Sequence, residues 1–279
     1  MGVPHLDDGA QAGEAAVIRV EDCPAIDVIV PTVDAVSWRH RGLVSLARNT
    51  NPAHLGRVVV VGPEPLDCGP AAGLFNGKLK RCETADRLPW KDAVPRGLVE
   101  TDSPVVLHVQ DDCLILPGNP DWLRTMLWPF TVDPTVGVVA ATVSNVGNSN
   151  QSFKLSLPAP YYLTSSVVPV IFLARCEALK EATAAVTEDG FGDQEFPLAL
   201  LLAGWKLVIA TGVSHHHEGM QTNLRVYGTE YVETMKKRAK EELPKRFPKM
   251  WLARLDACEM VPFENHYVPR DGGVEVRLT

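Results

Sequence analysis

The residues of this chain that could do chemistry fall into two acidic groups and a run of histidines. Gln110-Asp111-Asp112-Cys113 follows an apolar run at 104–109, Gly192-Asp193-Gln194-Glu195 opens a second apolar stretch, and His215-His216-His217-Glu218 comes last. Adjacent carboxylates at the end of a buried strand suit a hard divalent cation, which takes oxygen ligands and keeps positions open for phosphate oxygens. They equally suit the capping of a turn. Asp193, placed at a helix start, fits an N-cap. A carboxylate held near backbone N–H dipoles stays ionised and able to accept a proton. On an extended segment His215 and His217 share one side, where either could reach a metal or a phosphate; a plain polar turn is the alternative.

Holding these groups together calls for an α/β sheet. Residues 26–30 form an apolar strand ending in Pro31-Thr32, 43–48 are helical, and 57–61 form a second strand ending at Gly62-Pro63. Strand, helix, strand is a parallel crossover unit, and in open sheets of that kind ligands bind at the carboxyl ends of the strands. The β-branched run 104–109 delivers Gln110 to Asp112 to that edge. Further helices are expected at 90–100, 120–128, 176–185 and 194–203, and further strands at 136–143, 167–173 and 206–210. The Gly- and Pro-rich stretch 64–79 reads as a loop, and 144–160 as a long polar loop. A charged helix over 222–243 carries Tyr227 and Tyr231 on one face at i, i+4 spacing.

With 279 residues, 46% of them apolar and 22% charged, the chain has the make-up of a soluble protein with a sizeable core. A formal net charge of −7 argues against a broad nucleic-acid surface. No apolar run is long enough for a membrane span, and Asp7, Asp8 and Glu14 occupy the place of a signal peptide's lysines, which points to the cytoplasm. Six cysteines without a CxxC pair read as reduced thiols. Cys113 follows two acids, a setting opposite to the one a nucleophilic thiolate needs. Two small basic clusters, Trp38-Arg39-His40-Arg41 and Lys78, Lys80 and Arg81, suit solvated surface or a diphosphate. Trp205 suits the core. Three regions follow: a loose arm at 1–22, a catalytic domain at 23–220 and a helical extension at 221–279 packed upon it.

The ordered set from about Ile26 to His217 resembles the inverting family 2 glycosyltransferases of the GT-A fold. The resemblance is carried by residues 27–32, by 105–113, by Pro120 to Leu123, by Gly137 to Ala140, by Gly192 to Lys206 with its Gly204-Trp205-Lys206 ending, and by His215 to Gly219. It implies an α/β fold with a mostly parallel central sheet flanked by helices. It also implies sugar transfer, with inversion, from a nucleotide-diphospho-sugar such as a UDP-sugar to a hydroxyl on a glycan, protein, lipid or small molecule. On the matching positions Asp112 would hold Mn2+ or Mg2+ with His215 or His217, and Asp193 would be the general base with Glu195 as its paired acid. Pro31, Thr32, Asp34, Gln110 and Asp111 would meet the nucleotide sugar. Gln110 stands where the family has an acid, and Val61-Gly62-Pro63-Glu64-Pro65 replaces its acid-rich base-binding turn. A nucleotidyltransferase using the same ion, and a non-catalytic module binding nucleotide or glycan, are the competing classes.

Overall fold

The computed structural model of the chain describes residues 18–23, 25–32, 36–146, 149–153, 157–187, 192–219, 221–263, 268–270 and 273–275. The first crossover runs from β1 (Ile26–Pro31) through α1 (Val36–Asn49) to β2 (Leu55–Pro63). β3 (Leu79–Thr84), α2 (Trp90–Leu98), β4 (Val105–Val109) and the two-residue β5 (Cys113–Leu114) follow. Next come α3 (Trp122–Val132), β6 (Val136–Val143), β7 (Tyr161–Thr164), β8 (Ile171–Arg175), α4 (Cys176–Ala185), α5 (Gly192–Leu202) and β9 (Lys206–His217). The chain then forms α6 (Gln221–Arg246), α7 (Lys249–Ala257), β10 (Met260–Pro262) and a small hairpin of β11 (Val268–Arg270) and β12 (Gly273–Glu275).

The sheet order is β10-β7-β9-β6-β8-β4-β1-β2-β3, with β5 attached to β9. Following the pairings, only β7 and β8 run against the other strands of this path. The central strands are buried on both faces, which is why they read as continuous apolar runs rather than alternating ones. Val28, Val30 and Leu107 pack with Leu43 and Leu46 of α1 and with Trp122 and Phe130 of α3. Ile29, Val106 and Phe172 point the other way, towards α2, α4, α5, α6 and α7. At the opposite end from the acidic groups, the buried Asp27 carboxylate accepts N–H bonds from Arg57, Asp102 and Ser103, joining the starts of β1 and β2 to the loop that leads into β4.

Several expectations change. Residues 1–17 lie outside the described residues, but the remainder of the expected arm is packed: Ile18 is buried and its N–H donates to Phe130 O. Residues 79–84, expected as loop end and linker, form the edge strand β3. β7, β10 and α7 were not expected at all. The 222–243 helix is broken at Gly228, whose φ of 79° and ψ of 170° no helix accommodates, so the continuous helix on which the i, i+4 spacing of residues 227 and 231 depended is not formed. After the break, Met235, Ala239, Leu243, Phe247, Trp251 and Leu255 join the core on the α5 side of the sheet, so the extension is part of that core. No helix among the described residues is long and apolar enough to cross a membrane.

Candidate metal and transfer site

β1 crosses over to β2 on one side while β4 lies on the other, so the winding reverses at the carboxyl ends of β1 and β4, the switch point at which open α/β sheets take their ligands. Thr32, just beyond β1, donates through Oγ1 to Asp111 Oδ2 at 2.5 Å. Arg39, buried on α1, reaches Thr32 Oγ1 with Nη1 at 3.4 Å and donates through Nε to Asp67 O at 2.7 Å. α1 also sets the backbone of the acidic turn. A Cβ on Gly42 would lie 2.7 Å from Asp111 O and 3.0 Å from Cys113 O, so glycine alone allows this approach. Ser45 Oγ accepts Ile115 N–H at 2.9 Å and Asn49 Nδ2 donates to Ile115 O at 2.6 Å.

β9 brings the histidines to the same edge. Its register against β6 jumps between Ala141↔Ala210 and Thr142↔Ser214, a bulge in β9 that redirects the strand so that Cys113 pairs with His217 and Leu114 with His216. His217 Nε2 therefore faces Asp112 Oδ1 at 3.4 Å, while its Nδ1 bonds Asn145 O at 3.1 Å. Since a carbonyl only accepts, Nδ1 carries the proton, and a neutral ring presents its Nε2 lone pair to Asp112. Asp112 Oδ1 is buried and accepts no hydrogen bond. Burial works against charge on His217, but the hydrogen bond that a protonated Nε2 would donate to Asp112, then the Asp112 charge, aided by Asn145 and Asp193, outweigh it and hold the pKa above its ordinary value. The pair thus attracts a proton, and a cation competing for the same space would displace it.

Cys113 Sγ lies in the same group, whose ligand atoms are all within 4.8 Å of one another. Burial, then the charges of Asp112 and Asp111, push its thiol well above the ordinary value, so it stays protonated and makes only a long contact of 3.9 Å to Val170 O. The Asp112 carboxylate and the His217 imidazole already present lone pairs to a metal, and a bound ion would itself have to displace the Cys113 proton before the sulfur could join them. The orphaned Oδ1 and the oriented Nε2 fit such an ion, and a mixed oxygen and nitrogen pair suits Mn2+ better than Mg2+.

Asp193 stands in the first turn of α5. Its side chain is open to solvent, yet protein crowds it closely enough that desolvation raises its pKa, with the His217 charge opposing.

The structure separates the remaining candidates from this group. His215 accepts the Leu116 N–H at Nδ1 (3.3 Å), sets its ring edge-on to Trp122 at 4.6 Å, and is held by burial at a pKa of about 4. It supports the 114–116 segment, and the clustered ligand atoms do not include it. Glu195 is wholly buried, accepting from Thr187 N and Oγ1 at 2.8 and 2.9 Å and pairing with Arg246. Gln110 Nε2 donates to Pro169 O at 3.0 Å, bracing the turn before β8. Pro31 pairs with Val61 at the end of β1, and Asp34 lies outside the described residues. Trp205 is core, covering Gly137 and donating to Glu181. Of the basic clusters, Arg39 is a buried member of the site, whereas Lys78 and Lys80 are engaged by Leu55 O and Glu100. Asn145 and Gly42 carried no signal in the sequence, because a backbone carbonyl and a missing Cβ acquire their roles only from the fold.

No family model and no curated protein sequence matches the chain. Among solved structures it is similar to GalNAc-T7 with UDP, GalNAc and Mn2+, at 14% identity and a TM-score of 0.54 over 71% of this chain and 44% of that one. It is also similar to the mannosyltransferase PcManGT from Pyrobaculum calidifontis in complex with GDP-Man and Mn2+, at 18% identity and a TM-score of 0.58 over 84% and 68%. The chain thus spans under half of the GalNAc-T7 structure. At these identities the likeness is one of fold, and the chain has the mixed α/β architecture, a central sheet flanked by helices, of the GT-A glycosyltransferase structures.

Proposed function

We propose that this chain is a metal-dependent glycosyltransferase that moves a sugar from a nucleotide-diphospho-sugar to a hydroxyl acceptor with inversion. The observation that carries the reading is the buried pair Asp112 Oδ1 and His217 Nε2, 3.4 Å apart, with no hydrogen bond to Oδ1, at the ligand-binding edge of this fold. Asp112 and His217 would hold the ion. When bound, it would supply the positive charge that a departing nucleoside diphosphate requires. Thr32 and Asp111, tied together and backed by Arg39, stand at the switch point where the nucleotide would lie; Asp34 is added on sequence grounds.

Asp193 takes the acceptor's proton. Its raised pKa brings it closer to neutral pH, where a base is most effective, and its exposure leaves it reachable by an incoming hydroxyl. Glu195 is turned into a buried ion pair, so no second carboxylate of this helix stands by as a nucleophile, and a single displacement with inversion is the simpler course. UDP and GDP, the nucleotides named with the two similar structures, are the first donors to try.

Calorimetry with UDP and GDP, with and without Mn2+, tests this on the wild type and on Asp112→Ala. Binding that needs Mn2+ and vanishes in the variant supports the reading; metal-independent binding, or an unchanged variant, overturns the metal role. Release of nucleoside diphosphate from a nucleotide sugar separates sugar transfer from nucleotidyl transfer, which would release pyrophosphate.

A further inference from the structure

Glu195 is two residues from Asp193 and does not share its side of α5, since residues two apart on a helix do not face each other. A buried carboxylate is unfavourable unless paired and hydrogen-bonded. Glu195 meets that demand through three segments at once. It accepts the backbone N–H and the hydroxyl of Thr187, which follows α4, and it pairs with Arg246, the last residue of α6. Arg246 extends the same junction, donating through Nη1 to Thr187 Oγ1 at 2.8 Å and through Nη2 to Ala185 O at 3.0 Å. One planar guanidinium thereby joins the end of α4, the start of α5 and the end of α6, a use of its fork that an ammonium cannot reproduce.

We propose that Arg246 is a positioning residue for Asp193, acting through Glu195 and Thr187 to fix where the first turn of α5 stands relative to His217. The inference rests on the glycosyltransferase reading for its functional consequence. Among the described residues no side chain or backbone group hydrogen-bonds the Asp193 carboxylate, so its place is set by the helix start that carries it. Leu198 and Leu201 of α5 share one buried core with Met235, Ala239 and Leu243 of α6 and with Trp251 and Leu255 of α7, which touches both helices, and the end of α6 delivers the guanidinium to Glu195. α6 also begins four residues after His217, so the segment that leaves the metal pair returns, at its far end, to brace the helix bearing the base.

The wild type is compared with Arg246→Lys, which keeps the charge and loses the fork, and with the double variant Arg246→Met/Glu195→Gln, which removes both charges and leaves no unpaired buried ion. Three quantities are read: the single-turnover transfer rate at saturating nucleotide sugar and Mn2+, the Kd for nucleoside diphosphate with Mn2+, and hydrogen exchange at the amides of Asp193, Gln194 and Glu195. A misplaced reacting group costs on the order of 100-fold, so the rate should fall by about 10- to 100-fold in both variants while Kd stays within about twofold. Exchange at the three amides should quicken at least about tenfold as the local opening becomes easier. A rate within about threefold of wild type, or a Kd that weakens in step with the rate, overturns the proposal. Should the wild type transfer no sugar from any donor, the functional reading fails and the exchange arm decides alone, with unchanged exchange in Arg246→Lys refuting the brace. If the double variant does not fold, Arg246→Lys carries the decision.

Discussion

Gly42→Ala alters no proposed ligand side chain, yet it should weaken metal binding. The residue is helical, with no positive φ, so alanine gains about 1 kcal/mol of helix propensity. Against that, the new Cβ would stand 2.7 Å from Asp111 O and 3.0 Å from Cys113 O, where ordinary contact begins near 3.4 Å. Both neighbours are backbone and cannot rotate away, so either α1 or the acidic turn must retreat by roughly half an ångström, an overpacking that costs about 1–3 kcal/mol. The two effects nearly offset, leaving stability between unchanged and about 2 kcal/mol lower. The site is less forgiving: Asp112 lies between those two carbonyls, and metal–ligand distances tolerate only about 0.2 Å. Mn2+ affinity, measured by calorimetry beside urea unfolding of the same preparation, should therefore fall at least about tenfold, or roughly 1.4 kcal/mol. A folded variant that binds Mn2+ within twofold of wild type would refute the idea that α1 sets the ligand geometry.

Asp193→Asn should leave the melting temperature nearly unchanged, because the carboxylate stands in the first turn of α5 with no hydrogen bond among the described residues to lose, yet lower the single-turnover rate by roughly two to four orders of magnitude. Near-normal turnover would remove Asp193 as the base. His217→Ala should abolish Mn2+-dependent nucleotide binding, whereas His215→Phe, which keeps the ring against Trp122, should retain it; the reverse pattern in calorimetry would exchange their roles. His108, buried between Trp90 and Phe172, has a pKa lowered from 6.5 to about 3 by desolvation. The unfolded chain protonates this group below 6.5 and the folded chain does not until about 3, so stability is lost as pH falls through that window, by about 1.4 kcal/mol per pH unit. Urea unfolding from pH 7 to 5 should show a slope shallower by that amount in His108→Leu, and an identical slope would mean that the histidine is charged in the folded state.

The elements that hold the site were legible where burial is two-sided. Residues 136–143 and 176–185 were read with their observed bounds because an unbroken β-branched run and an alanine-rich amphipathic stretch each have one sensible conformation. β3 was missed because it is an edge strand: in Leu79-Lys80-Arg81-Cys82-Glu83-Thr84 only Cys82 is buried, and the charged positions read as loop. β7 is four residues long after a polar stretch and owes its existence to pairing with β9 and β10. Asp111, Asp112, Asp193 and His217 were visible as types and order, but the pairing of acids was misjudged. Two acids separated by one residue on a helix diverge by about 200°, so Asp193 and Glu195 never had a common target. His215 and His217 share a side of their strand, but two residues span about 6.6 Å, and only the one opposite Cys113 reaches Asp112.

The bulge in β9 also bears on how the site tolerates errors of alignment. Upstream of Ala210 the strand is locked in the sheet interior, and downstream of Ser214 it is locked to β6 and β5, with the unmatched residues between them free of register on β6. In a period-2 structure a slip of one residue replaces every side chain by its neighbour from the opposite face. Along most strands that would erase a functional position. Here a slip that shortens the bulge by one residue brings His216 opposite Cys113, and a slip that shortens it by two brings His215, so an imidazole stands beside Asp112 in each of these alignments. Three identical residues in succession make the end of β9 a ligand-bearing stretch whose usefulness survives insertion of one or two residues at the bulge, the place where the strand can best absorb it.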